Sequence, residues 1–409
     1  MKKLLPGALL LYGIFAGTQF VAQAGEKTEY ERKYEQICTT VKAQFYDPTM
    51  GGLDWKQISE SYRTKVATVH SKPEFEMLMN AMLDQLHASH AAYVSANDAE
   101  YYMMLAVRSG DMSKNEIDHI GVMGIRDDSG YRVSGTLDGG PAEKAGILSN
   151  DLLLRADGRP FTSAGSFHGK SKSSVSIDLI RGVDKKALTV IVKPEHSNVL
   201  GAFLEATKRS AHIITLNGKR IAYIHLWTMA NDDFKEAFEN ELLNKLHDTD
   251  GLLLDLRDGY GGRPFGYADL FFRPDISDEE IGRRTHSLRH SGYARPIVLL
   301  TNAGTRSAKE YFSYQMKSTH RAILVGTQTA GAFLGAGFFD IGSDGLLELP
   351  IVGIKIDGRL LEKHGVVPDI IVAPSNSYRA DDAQIAAAEK ILLTSIENNK
   401  PLPKGLSAY

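Results

Sequence analysis

The sequence predicts an α/β protein built in three parts: a helical N-terminal region, an inserted strand-rich β-domain and an α/β core. Three patterns carry that prediction. Before about residue 110 the apolar residues recur at helical spacing. Residues 118–195 are short alternating or apolar runs broken by Gly, Asp and Asn, the pattern of strands and turns. From residue 213 onward strand and helix patterns alternate. Runs such as 252–256 and 297–300 are wholly apolar, as in a sheet covered on both faces. The domains expected are 1–24, 25–110, 118–195 and 205–400.

Taken in order, Lys2 and Lys3 precede an apolar stretch at 8–15, and small residues then end in Ala22-Gln23-Ala24. That is the layout of a secretory signal peptide cleaved after Ala24. An uncleaved anchor is the alternative, but Pro6, Gly7, Gly13, Gly17 and Gln19 interrupt a stretch already short for a span. The mature chain is therefore expected to carry no membrane span. Cys38 is the only cysteine, which rules out an internal disulfide; with a Lys-Lys signal this fits a periplasmic or secreted bacterial protein. Helices follow at 29–46 (Tyr34, Ile37, Val41, Phe45), from about Asp54 (Trp55, Ile58, Tyr62, Val66) and after Pro73 (Phe75, Leu78, Met79, Met82), the third running on toward Tyr93. Strands are expected at 120–125, 131–134, 152–154, 175–180 and 188–192, with one helical patch at 141–146. In the core, strands at 221–226, 252–256, 297–300, 322–325 and 346–357 alternate with helices at 233–246, from Ser307, and at 382–396.

Composition narrows the partners. The chain has 409 residues, 43% hydrophobic and 24% charged, with a net charge of −3 and no Lys/Arg run. That balance argues against nucleic acid or an anionic membrane surface as the main partner. Thirteen histidines are present, but no H-E-x-x-H and no carboxylate–His spacing typical of ligands, so neither a metal nor another cofactor is expected.

One window concentrates the chemistry. After the apolar run 297–300 comes a small polar turn, 301–306, and then a helical pattern beginning at Ser307. A serine where a strand turns sharply into a helix faces outward beside free N–H groups and the positive end of the helix dipole. That suits a nucleophile whose product is an oxyanion. It suits an N-cap too, the commonest use of serine at a helix start, and the window alone favours the cap while leaving both open. A second window, Asp255-Leu256-Arg257-Asp258-Gly259-Tyr260-Gly261-Gly262, follows a buried strand. It matches no phosphate-loop pattern, and its glycines serve either a tight turn or an exposed N–H near an intermediate.

The run Gly139-Gly140-Pro141-Ala142, Ala145-Gly146-Ile147, Asp151-Leu152-Leu153-Leu154 and Asp157-Gly158 resembles a PDZ domain. That resemblance implies binding of an extended peptide as an added strand, a tail carboxylate meeting N–H groups at Ile120, Gly121 and Val122. A β-domain used only as a spacer is the alternative.

Taken together, the three helices, the inserted domain and four motifs resemble the C-terminal processing (tail-specific) peptidases and their tricorn-core relatives. The motifs are Asp255-Leu256-Arg257…Gly261-Gly262, Asn302-x-Gly304-x-x-Ser307-Ala308-x-Glu310, Val325-Gly326-x-x-Thr329-Ala330-Gly331-Ala332 and Glu362-x-x-Gly365-Val366-x-Pro368-Asp369. The resemblance implies a crotonase-like α/β catalytic core and a serine peptidase acting on peptides or protein tails. The tail-specific branch uses a lysine in a Phe-Gly-Lys-Gly segment, whereas this chain reads Ala330-Gly331-Ala332-Phe333 there. The tricorn-like branch instead uses a histidine from a Ser-His pair and a glutamate before Gly-Val-x-Pro-Asp, matched by Ser89-His90 and Glu362. Resemblance therefore assigns Ser307 as nucleophile, His90 as base, Ser89 and Glu362 as supporting relay, and N–H groups of Ala308, Gly261 and Gly262 as the oxyanion hole. Read locally, His87 and His364 rival His90, and Glu362 could pair with Lys363 or Arg359. A catalytically inactive protein binding peptides or hydrophobic ligands on the same scaffold is the competing class.

Overall fold

The computed structural model describes residues 28–182, 184–374 and 382–398. The expected signal peptide, 1–24, lies outside them. Three helices, Glu29–Gln44, Trp55–Val66 and Lys72–Leu83, open the described chain. Each is started by a side chain that accepts from an orphan N–H: Thr28 from Glu31, Asp54 from Gln57 and Ser71 from Glu74. Their inward stripes, including Tyr34, Ile37, Val41, Phe75, Met79 and Met82, are buried. They pack on Tyr93, Leu347 and Leu349 of a three-stranded antiparallel sheet. That sheet has the order Ala92–Ser95, Gly345–Val352, Gly335–Asp340, so strands from both ends of the sequence share one core with the helices.

The third helix does not run on toward Tyr93 as its pattern suggests. It ends at Leu83, a tight turn at Asp84–Leu86 follows, and His87 at φ 49° closes it. Ala92–Ser95 is then a strand, paired in register with Gly345–Glu348. Pairing to a distant strand overrides the local helical period here.

The β-domain is a sheet of order Val122–Asp127, Gly130–Thr136, Leu152–Ala156, Val175–Arg181, Lys186–Val192, with Arg159–Pro160 folded back on the third strand. Its first strand starts at Val122 rather than at 120, because Gly121 takes φ 66°. Ile120, Val133, Leu153, Phe161, Phe167 and Ile177 form its own core. The segments entering and leaving it, Glu116–His119 and Glu195–Asn198, pair antiparallel with each other. A closed two-stranded neck of this kind lets a domain be inserted without disturbing the rest.

The core sheet runs His212–Leu216, Lys219–His225, Gly251–Asp255, Ile297–Thr301, Ile323–Gly326, Ile370–Ile371; the first pair is antiparallel and the others parallel. Alternate residues face opposite layers, as a strand period of two requires. Leu252, Leu254 and Leu299 meet Phe238 of the helix Asp232–Asn240 and Phe312 and Met316 of the helix Ala308–Ser318. Leu253, Val298 and Leu300 meet Ala388 and Leu392 of the helix Ala383–Glu397. Two further helices, Ala99–Ser109 and Val199–Ser210, pack on each other under the β-domain and carry no strong signal in the sequence. The turns 256–262 and 302–307 both leave the carboxyl ends of parallel strands, where open α/β sheets place their sites.

Arg257 clamps this end of the sheet. Its guanidinium donates to Asp255 at 2.6 Å and to Asp382, the cap of the final helix, at 2.6 Å, all three side chains being buried. Burial alone would raise the Asp255 carboxyl, but Arg257 and His225 hold it well below the ordinary range. Removing the cation while both carboxylates stay buried is strongly destabilising. Arg257→Met is therefore expected to lower stability by about 3–5 kcal/mol, read by urea denaturation at neutral pH.

Candidate active site

Ser307 stands between the buried strand Ile297–Thr301 and the helix Ala308–Ser318 with φ 57° and ψ −123°. A conventional N-cap serine has extended backbone, so this residue is in a strained turn rather than an ordinary cap. The strain is held from two sides. Glu310, fully buried, accepts from Ser307 N–H at 2.9 Å, Ala332 N–H at 2.8 Å, Gly331 N–H at 2.6 Å and the Thr329 hydroxyl at 2.5 Å. Burial lifts its carboxyl and these bonds lower it, the net direction being up. On the other side, the Asn302 amide accepts from Asp258 N–H at 3.1 Å and donates to Asp258 Oδ1 at 3.0 Å. Thr305 donates to Leu256 O at 2.9 Å. The serine turn is thus lashed to the turn after Asp255.

That lashing brings Gly261 against the serine. A Cβ on Gly261 would lie 2.8 Å from Ser307 Oγ and 3.0 Å from Ala308 N, so no other residue fits. Gly262, at φ 136°, has no room for a Cβ against Met229 O. Among the described residues the N–H groups of Gly261, Gly262 and Ala308 donate to nothing in the chain. Backbone donors left free beside a serine hydroxyl can serve a developing oxyanion.

His90 reaches the same place from the N-terminal region. It is 8% exposed, with φ 60°, and its Nδ1 lies 2.7 Å from Glu348 Oε1. With Nδ1–H donated to a carboxylate, Nε2 carries the lone pair, and Nε2 is buried without a hydrogen-bond partner. His90, Ser307, Gly261, Gly262, Ala308 and Glu348 line one cavity of about 430 Å³, whose remaining wall is largely apolar: Met103, Val107, Phe265, Phe333, Phe338 and Ile356 among others.

Residues 220–372 match the profile of peptidase family S41, and residues 26–84 that of the tricorn protease C1 domain. Over 220–372 the chain is thus similar to the peptidases of family S41. It is 24% identical to the carboxy-terminal-processing protease of Bartonella bacilliformis, over 85% of this chain and 81% of that protein. It is also 24% identical to tricorn protease homolog 2 of Streptomyces coelicolor over 93% of this chain, but spans only 34% of that relative. Among solved structures, the photosystem II D1 C-terminal processing protease shares the fold, with a TM-score of 0.52 and 20% identity over 85% of this chain and 94% of that one.

In this core the carboxylate that meets the imidazole is Glu348, which the sequence reading does not single out. Its signal was present: one carboxylate in the apolar run Leu346-Leu347-Glu348-Leu349, where a buried charge must be paired. Antiparallel register puts Glu348 opposite Ala92, two residues after His90. Burial would raise the Glu348 carboxyl, but its bond to His90 and the Arg306 cation hold it below its usual value. Glu362 sits one step away. It accepts from Ser89 N–H at 2.8 Å, Ser89 Oγ at 3.1 Å and Phe333 N–H at 2.8 Å, so Ser89 and Glu362 meet each other rather than the imidazole.

The Ile120–Val122 loop of the β-domain does not line this cavity. Ile120 and Val122 are buried, and Gly121 N–H donates to His119 Nδ1 at 3.1 Å. Cys38 is also remote, its thiol pushed up to about 11, chiefly by burial. Among the described residues, His247, Asp275 and His290 bring ligand-type atoms within 4.8 Å of one another. The two imidazoles stack at 3.3 Å with 12° between planes, so an ion in the plane of one ring would lie out of the plane of the other. Arg295 already supplies the cation, 3.1 Å from Asp275.

Because the Glu348 carboxyl is depressed in the folded chain, its carboxylate form adds stability above the usual carboxylate pKa, and that stability is lost as pH falls through the folded value. The stability difference between wild type and Glu348→Gln should therefore be largest near pH 7 and shrink as pH falls below about 4, read by chemical denaturation at a series of pH values.

Proposed function

We propose that this chain is a serine endopeptidase that cuts peptides or protein tails through an acyl-enzyme. The observation that carries this reading is the strained Ser307, with Gly261 packed against its hydroxyl, the N–H groups of Gly261 and Ala308 unbonded beside it, and the bare Nε2 of His90 lining the same cavity. A serine hydroxyl is a poor nucleophile until an adjacent base takes its proton. In the reading proposed, Ser307 Oγ attacks the peptide carbonyl while His90 Nε2 accepts its proton. The carbonyl oxygen becomes an oxyanion held by Gly261, Gly262 and Ala308 N–H groups. The C–N bond then breaks as His90 returns the proton to the leaving amine. Water, deprotonated by His90, hydrolyses the Ser307 ester. Glu348 positions the imidazole and stabilises its cation, and Ser89 with Glu362 supports the segment that carries it.

The apolar cavity wall suits a substrate with a large apolar side chain beside the cut bond. For the β-domain, we read peptide recognition of PDZ type. Val122–Asp127 ends its sheet and Ile125 is exposed, which gives an extended segment an edge to join. The Gly121 N–H would have to leave His119 to meet a tail carboxylate. Export to the periplasm or medium rests on the 1–24 segment. No helix among the described residues is long and apolar enough to cross a membrane.

A fluorophosphonate probe should label the wild-type chain and not Ser307→Ala. An unlabelled wild type would favour the binding-protein reading instead. With a cleavable peptide, Glu348→Gln should lower kcat by on the order of 10³–10⁴-fold, as when the carboxylate of a serine–histidine pair is neutralised. Glu362→Gln should lower it less, since it acts one contact further away. Equal losses would move the orienting role off Glu348.

A further inference from the structure

The helix that begins at Ser307 buries a lysine that the proposed chemistry does not use. Lys309 has no exposed surface and does not line the cavity. Its Nζ donates to the backbone carbonyl of Asp258 and, at 3.3 Å, to that of Trp227. Both carbonyls belong to the frame of the oxyanion turn. Tyr260 N–H donates to Trp227 O at 3.0 Å, and Gly261 O accepts from Met229 N–H at 2.9 Å and from the Thr228 hydroxyl at 2.8 Å. Within this turn Asp258, Gly259 and Gly262 take φ of 50°, 71° and 136°. The two glycines take such φ freely, which leaves the turn loose unless its surroundings hold it, while Asp258 in the left-handed region is strained. Nζ lies 3.3 Å from where a Cβ on Gly259 would stand, directly against the turn.

We propose that Lys309 is a positioning residue, pinning the Asp258–Gly262 turn to the nucleophile helix so that Gly261 N–H and Ser307 Oγ keep one relative geometry. The inference rests on the peptidase reading for its catalytic consequence, but not for the pinning itself. An ammonium suits the task, since one donor group with three hydrogens can hold two carbonyls from different segments. Burial lowers Lys309 to about 7, while Asp258 and Asp255 favour the cation and Arg306 opposes it. Both the ammonium and the amine can donate to the two carbonyls. With Nζ committed to those two carbonyls and outside the cavity that Ser307 lines, Lys309 acts by holding the backbone, not as a base for Ser307.

The test uses the full chain with Lys309→Met, which keeps length and removes the donors, and Lys309→Gln, which keeps a neutral donor. Hydrogen exchange read by mass spectrometry should quicken about tenfold or more in peptides covering 256–263 of Lys309→Met. The strands Gly251–Asp255 and Ile297–Thr301 should stay as protected as in wild type, and Lys309→Gln should fall between. With a cleavable peptide, kcat of Lys309→Met should fall roughly 10²-fold, as for loss of one oxyanion donor, with KM within about twofold. Unchanged exchange in the turn would overturn the proposal. So would a rise spread equally over turn and strands, or a failure of both variants to fold, because each marks a merely structural lysine. If wild type shows no turnover, the peptidase reading fails while the exchange data still decide the pinning.

Discussion

A serine at φ 57° and ψ −123° does not stay there unaided; strained backbone of this kind costs about 1–3 kcal/mol and must be over-determined by its neighbours. Much of the core is arranged to do that. Glu310 gathers four donors from the serine turn and the 329–332 loop. Asn302 and Thr305 tie the same turn to the backbone after Asp255. Gly261 then has to be glycine, because the space a Cβ would need is taken by the serine. The motif spacings in both windows follow from this one constraint: each small or carboxylate residue either makes room for the turn or holds it.

Around the turn, ionisable groups are packed out of water, where their mutual charges act strongly. Glu348 is held charged by His90 and Arg306, while Glu100 nearby is lifted to about 7, first by burial and then by the Glu348 charge. An imidazole fixed by Nδ1 to a buried carboxylate has its tautomer and orientation decided, leaving Nε2 toward the cavity. The N-terminal helices matter to this indirectly. Their core contains Tyr93, Leu347 and Leu349, which hold together the two strands that bring His90 and Glu348 side by side. The inserted β-domain joins through its paired neck and can vary without moving the serine.

Local sequence was informative wherever one interaction range sufficed. The helical stripe of Tyr34, Ile37 and Val41 and the apolar run 297–300 could be read directly, since burial of one face or of both imposes its period on the chain. Ser307, Ala308 and Glu310 lie in a single strand-to-helix window, and Gly261-Gly262 follows a strand end. The helices Ala99–Ser109 and Val199–Ser210 were not legible, because each buries a broad face against the other and the β-domain rather than a clean stripe. The strand Ala92–Ser95 was hidden by a helical pattern that distant pairing overrode.

The sequence by itself therefore determined the three-part α/β architecture, the nucleophile candidate and the glycine turn, because contiguous residues and their periodicity specify local backbone. Only the tertiary structure decided that Glu348, and not Glu362, meets His90, and that Lys309 lies beneath the 258–262 turn. The reason is physical: which strands pair, and so which buried groups meet, is set by contacts between segments far apart in the chain, and no local pattern names the partner.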